Sequence, residues 1–293
     1  MKRILRKLGL SLVAVAGLSA QAMANNVQVA VEGSLLTIVG DALANSIVVN
    51  QAVTGDVVIT GRNGTLINGL ASVRFRRLAL NAMDVRMEGG NDRVVLRGLQ
   101  IANDLYVNLG PGNDVLSNTA PFTVGANAAI EAAEGNDSVQ LAAIAVQQDL
   151  AIDGGTGTLT VAISNSIVGK GLHIVSDEAN DSVRIEATEI AESVGIELKG
   201  GADTVTALDV AAFSFVVNTD AGADVISLEN VSSQEDIGIF TGVQNDLVEL
   251  LNVSSGKSLT VSVDDGSDLV SATAVFAVFD AVLEGGAGAD TLE

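Results

Sequence analysis

Apolar residues recur along this chain in columns about 22 positions apart. Taking a recurrent aspartate as position zero, position +2 reads Val94, Leu116, Val139, Val161, Val183, Val205, Ile226, Val248, Val270 and Leu292. Position +4 reads Leu96, Asn118, Leu141, Ile163, Ile185, Ala207, Leu228, Leu250 and Ala272. Such alternation predicts a strand with one face buried. Further apolar columns lie near +7 (Ile144, Val210, Val231, Val253, Val275) and at −9 and −7 (from Leu105 and Val107 to Leu259 and Val261). Each repeat therefore holds about three short strands, and no helical stripe persists for two turns. A unit this small cannot bury its inner face alone, so repeats must stack. The expected fold is all-β: a right-handed parallel β-helix, or β-solenoid, with about 22 residues per coil and rungs ~4.8 Å apart.

Residues 25–70 depart from the period. Val27, Val29 and Val31 alternate before Gly33, and Ile47 and Val49 before Gly55. These read as hairpins and predict a β cap protecting one end of the stack. The coils then occupy 71–293, with Val73 and Phe75 inward in the first. Glu293 follows three residues after Asp290, which leaves the last coil unfinished. An open edge there invites self-association.

Residues 1–24 read as a signal peptide. Lys2, Arg3, Arg6 and Lys7 precede an apolar stretch, and Ala22-Met23-Ala24 offers a small-x-small cleavage site. An uncleaved signal anchor is the alternative. The expected location is secreted or periplasmic, at the cell surface. No later segment is long and apolar enough to span a membrane as a helix, so no membrane insertion is expected. The chain has no cysteine, so no disulfide supports it.

Charge is uneven. Residues 25–97 hold 7 basic and 6 acidic side chains, whereas residues 98–293 hold 4 and 30. That balance argues against nucleic acid and anionic membranes as partners and favours cations.

The acidic residues carry the candidate chemistry. Asp92, Asp114, Asp137, Asp181, Asp203, Asp224, Asp246, Asp268 and Asp290 share one column, with Leu159 as its single exception. Glycine stands two places earlier in eight of the ten repeats, Ala179 and Gln244 being the others. The turn Gly285-Gly286-Ala287-Gly288-Ala289-Asp290-Thr291-Leu292 has the form G-G-x-G-x-D-x-U. Gly110-Pro111-Gly112-Asn113-Asp114 and Gly89-Gly90-Asn91-Asp92 are close to it. In these turns the chain resembles RTX, or haemolysin-type, calcium-binding repeat proteins. The likeness covers the turns and not the strands, and the turn occurs once per coil of 22. The resemblance implies that the nine aspartates are calcium ligands, with calcium ions as partners and a structural or adhesive role among cell-surface or matrix components.

Two other readings stand beside it. Asp and Asn before a strand are ordinary turn formers, and Asn91, Asn113, Asn136, Asn180 and Asn245 sit next to the aspartates. A metal-free capping ladder on a surface scaffold gives the same columns. A polysaccharide-acting β-helix enzyme is the third reading, but no catalytic motif appears. His173 and Tyr106 fall on outward positions, Lys199 and Arg184 stand alone in the pattern, and Arg74, Arg76 and Arg77 cluster where cap meets coils. No enzyme activity is expected.

Overall fold

The computed structural model describes residues 25–293; the leader expected over 1–24 lies outside them. Among the described residues every regular element is a strand. The chain is a parallel β-solenoid of about ten turns with about 22 residues per turn. It divides into two compact units, one ending at Asp153 and the other running from Gly154 to Glu293.

In the first unit, Met83, Leu105, Ala128 and Leu150 stand in one parallel register, and Val94, Leu116 and Val139 in another. In the second unit the two registers are longer. One runs through Leu172, Val194, Phe215, Ile237, Leu259 and Ala281. The other runs through Val161, Val183, Val205, Ile226, Val248, Val270 and Leu292. Like residues thus meet like, and the apolar columns become buried stacks as far as Leu259 and Val270, with Ala281 and Leu292 of the last coil exposed. Val, Ile and Leu suit this pleated interior. Phe215 is the one large ring among the biggest fully buried side chains.

The two irregular steps of the period are absorbed at corners. The extra residue lies between Asn118, which pairs with Leu96, and Thr123, which pairs with Gln100. The missing residue falls between Ala211, level with Glu189, and Ser214, level with Ser193. Strand registers on either side are untouched.

The cap is built from antiparallel hairpins, as expected, but the first parallel rung begins well before Ala71. Leu35–Val39 pairs antiparallel with Asn26–Glu32 on one side and parallel with Ala82–Arg86 on the other. Ser46–Gln51 likewise lies parallel to Arg93–Arg97. Strands Val57–Gly61 and Ser72–Phe75 form an inserted antiparallel extension of that rung. Val73 and Phe75 therefore sit half-buried on an extension strand instead of lining a first coil.

Candidate functional site: an inward aspartate ladder

Positions 0, +2 and +4 share one parity along a strand, so they share one face. Because +2 and +4 point into the core, the aspartate does too. Asp92, Asp114, Asp137, Asp181, Asp203, Asp224, Asp246 and Asp268 are all buried, at 0–3% exposure. Asp290, in the last coil, is half-buried. The first unit stacks three of these residues; the second stacks six below Leu159.

Each carboxylate reaches back one coil. Oδ1 of Asp114 accepts the backbone N–H of Asp92 at 2.6 Å, and Oδ1 of Asp137 that of Asp114 at 2.8 Å. In the second unit Oδ1 of Asp181 accepts from Leu159 at 2.6 Å, Asp203 from Asp181 at 2.7 Å and Asp224 from Asp203 at 2.8 Å. Asp246, Asp268 and Asp290 continue the series at 2.8, 2.8 and 3.2 Å. The need for this bond is local. Each ladder carbonyl already joins the strand pattern: Val225 N–H donates to Asp203 and Leu247 N–H to Asp224. The N–H at the start of each strand goes instead to a side chain of the next rung. A buried N–H without a partner costs roughly 1–3 kcal/mol, and the next rung's side chain supplies the acceptor.

A second ladder runs the other way along the outside. Oδ1 of Asn91 accepts from Asn113 N–H and that of Asn113 from Asn136 N–H, each rung serving the coil that follows. Asn180 serves Ala202, and Asn245 serves Ser267.

The glycines two places before the aspartates have a steric reason. A Cβ at Gly112 would fall on the carbonyl of Gly90, and one at Gly222 on the carbonyl of Gly201. Backbone of the preceding coil fills the space a side chain would need. At Gly201 the backbone is also left-handed, with φ +112°.

Two features of the ladder were not expected. It begins at Asn45, whose N–H donates to Asp92 Oδ1 at 2.6 Å and which is 1% exposed. Asn45 escapes the sequence period because the inserted strands separate it from Asp92. Position −5 also faces the ladder across the core. The hydroxyls of Ser176, Thr219 and Thr241 sit beside Asp181, Asp224 and Asp246 and ease their charge, although none meets them with hydrogen-bond geometry. In the exceptional coil the facing residue is Gly154, and a Cβ there would come within 2.9 Å of Leu159 Cδ2. The larger side chain at zero is matched by the absent one at −5.

Electrostatically the ladder is costly. Oδ2 of all eight buried aspartates is enclosed without a hydrogen-bond partner. Burial pushes their carboxyls up, and neighbouring carboxylates add to the rise for several. Asp92 reaches about 8, Asp114 and Asp203 about 7, and Asp137 and Asp246 about 6. Asp181, Asp224 and Asp268 also move upward by burial. The backbone N–H bond opposes each rise.

Calcium needs six to eight oxygens converging on one point. Each level here offers one free oxygen, turned toward the side chain at −5, while the other oxygen is held by an N–H. The turn carbonyls of Gly90 and Gly201 are packed onto the next coil's glycine. Among the described residues no group of three or more Asp, Glu, His or Cys is gathered to hold a metal ion. The residues of the ladder do not fit a calcium site.

The outward residues have ordinary partners. Tyr106 donates to Glu131 Oε2 at 2.7 Å and lies under the Arg86 guanidinium, 5.9 Å from ring centroid. Arg184 pairs with Glu186 at 3.0 Å, and Lys199 with Asp177. Arg184 and Lys199 do not stand alone as the pattern suggested: Glu186 lies two residues along the same strand and Asp177 one coil before. Arg74 pairs with Asp56 of its own hairpin. His173 is exposed on the outer face. An open groove of about 460 Å³ lies in the first unit against Ser34, Gln51, Asn81, Gln100 and Thr123. Its lining is neutral, and Gln51 Oε1 is already engaged by Gln100 N–H. No family model matches the chain, and neither a curated protein nor a solved structure matches it.

Proposed function

We propose that the chain is an exported structural scaffold whose aspartate ladder is a metal-free internal capping device. The observation that carries this reading is the repeated bond from one rung's backbone N–H to the next rung's Oδ1, such as Asp181 N–H to Asp203 at 2.7 Å. A side chain already committed to a buried amide is a structural part. The basic, apolar, small-x-small leader supports export. The strongly acidic coils from residue 98 onward would keep the outer surface soluble and repel nucleic acid and anionic lipid. Stacked, acidic coils of this kind suit a surface or matrix role, in which each stack presents its sides.

The test is thermal melting of the mature chain in millimolar Ca²⁺ and in EDTA. Ligands that bind only the folded state raise its stability by mass action. The capping reading predicts the same melting temperature in both. A large calcium-dependent rise, smaller with Mg²⁺ and reversed by chelation, would instead support the calcium reading that the turn motifs suggest.

A further inference from the structure

Eight enclosed Oδ2 atoms without a donor pose a problem that the capping bond leaves open. A buried carboxylate needs compensation by opposite charge or several hydrogen bonds. Each rung has one N–H. The groups acting on the ladder are the adjoining rungs and, around them, Asp41 beside Asp92, Asp177 beside Asp181, and Asp264 and Asp290 beside Asp268. Every charged group in that set is acidic. The facing −5 side chains are neutral: Met87, Leu109 and Ala132 in the first unit, Leu198, Thr219, Thr241 and Val263 among those in the second.

We infer that the free oxygens of the ladder are proton-binding sites, so the folded chain carries a stack of neutral buried carboxylic acids and takes up protons as it folds. This rests on the metal-free reading above. A neutral acid keeps the capping bond, because Oδ1 remains the carbonyl-type acceptor while the proton sits on Oδ2. Neutralisation also removes the repulsion between rungs. It gives an acidic exported scaffold a preferred medium: it is firmest where its surroundings are mildly acid and loosens as they become alkaline.

The direction follows from linkage. Free aspartate titrates at 3.8 and the ladder groups titrate higher, up to about 8 at Asp92. Between those limits the folded chain binds more protons than the unfolded one, so its stability falls as pH rises. The contribution is fully present below about 3.8, falls progressively above it, and is gone once pH has passed the folded values, about 6 to 8. Each proton retained lowers the folding constant about tenfold per pH unit.

The experiment is urea unfolding of the full mature chain in EDTA from pH 4 to 9, with the carboxyl carbons of isotope-labelled aspartate followed by NMR in the folded state. The expected result is a urea midpoint that falls steadily from pH 5 to 8, and a set of aspartate signals still protonated at pH 5. The variant Asp203→Asn, which keeps an acceptor but cannot ionise, should flatten the slope by about one proton. A midpoint that is flat or rising over that range, or ladder signals fully ionised at pH 5, would overturn the inference. The NMR arm decides the matter even if the variant fails to fold. Pairing flat pH behaviour with an absent calcium effect would sink the proton sites alone; a calcium-dependent melting temperature would sink the reading beneath them.

Discussion

The coil of Leu159 and the coil of Asp203 share the same strands, the same register and the same buried position zero, yet one holds a hydrocarbon and the other a carboxyl. The difference lies in what faces them and in whom they serve. Leu159 is met by Gly154, whose missing side chain leaves it room. The Asp203 coil carries the bulkier, buried Leu198 at −5, and Asp203 gives its oxygen to the N–H of Asp181, one coil back. Leu159 is itself capped by Asp181. A rung's side chain therefore serves the preceding coil, not its own. Position zero is an interior site with two requirements, a volume that fits its −5 partner and an acceptor for the amide behind it.

The sharpest way to break the comparison is to make one coil into the other. Asp203→Leu removes the acceptor from a buried N–H and overfills the space beside Leu198. Together these should cost about 3–5 kcal/mol in urea unfolding. Adding Leu198→Gly should recover part of the loss, and a double-mutant cycle should show about 1–3 kcal/mol of favourable coupling. Additive losses would mean that the two positions do not face one another. The converse change, Gly154→Ala, drives a methyl against Leu159 and the Ser176 hydroxyl; it should cost about 1–3 kcal/mol, and pairing it with Leu159→Ala should reduce that penalty.

A smaller effect tests the opposite corner. At position +6 the backbone is left-handed in coil after coil, at Asn165, Ala187, Asp209, Asn230, Asn252 and Ala274. Asparagine ladders form there as well, Asn230 donating to Asp209 and Asn252 to Asn230, both at 2.8 Å. Alanine is poorly suited to that conformation. Exposed Ala187→Gly should raise stability by about 0.5–1 kcal/mol, measured by the same unfolding curves. A loss would show that this corner lacks the strain assigned to it.

The fold was legible because a fixed period converts directly into register: Val183, Val205 and Ile226 stack in the structure as they align in the sequence. The direction of the aspartates was legible too, in the parity they share with Val205 and Ala207. Gly154 stands at −5 in the coil that lacks its aspartate, but Gly285 holds the same place before Asp290, so glycine there is no signal by itself. Other features were hidden for physical reasons. Asn45 lies outside the column because the inserted strands break the spacing. The partner of Tyr106 depends on which side chains a register brings together at neighbouring levels, whereas Asp177 stands one 22-residue period before Lys199 and was legible. The empty side of each carboxylate, turned into the core without a donor, is a property of packing that no spacing encodes.

The claim on which the rest depends is that the ladder oxygens hold amides rather than metal. Its most direct measurement compares Asp203→Asn with Asp203→Ala, in EDTA, by urea unfolding together with hydrogen exchange at the Asp181 amide. Asparagine retains an oxygen acceptor of the same reach, whereas alanine leaves the amide buried and unpaired. The account predicts an asparagine variant within about 1 kcal/mol of the parent at neutral pH with the Asp181 amide still protected, and an alanine variant about 2–3 kcal/mol weaker with that protection lost. Equal losses in both variants, with the Asp181 amide unchanged in either, would contradict it.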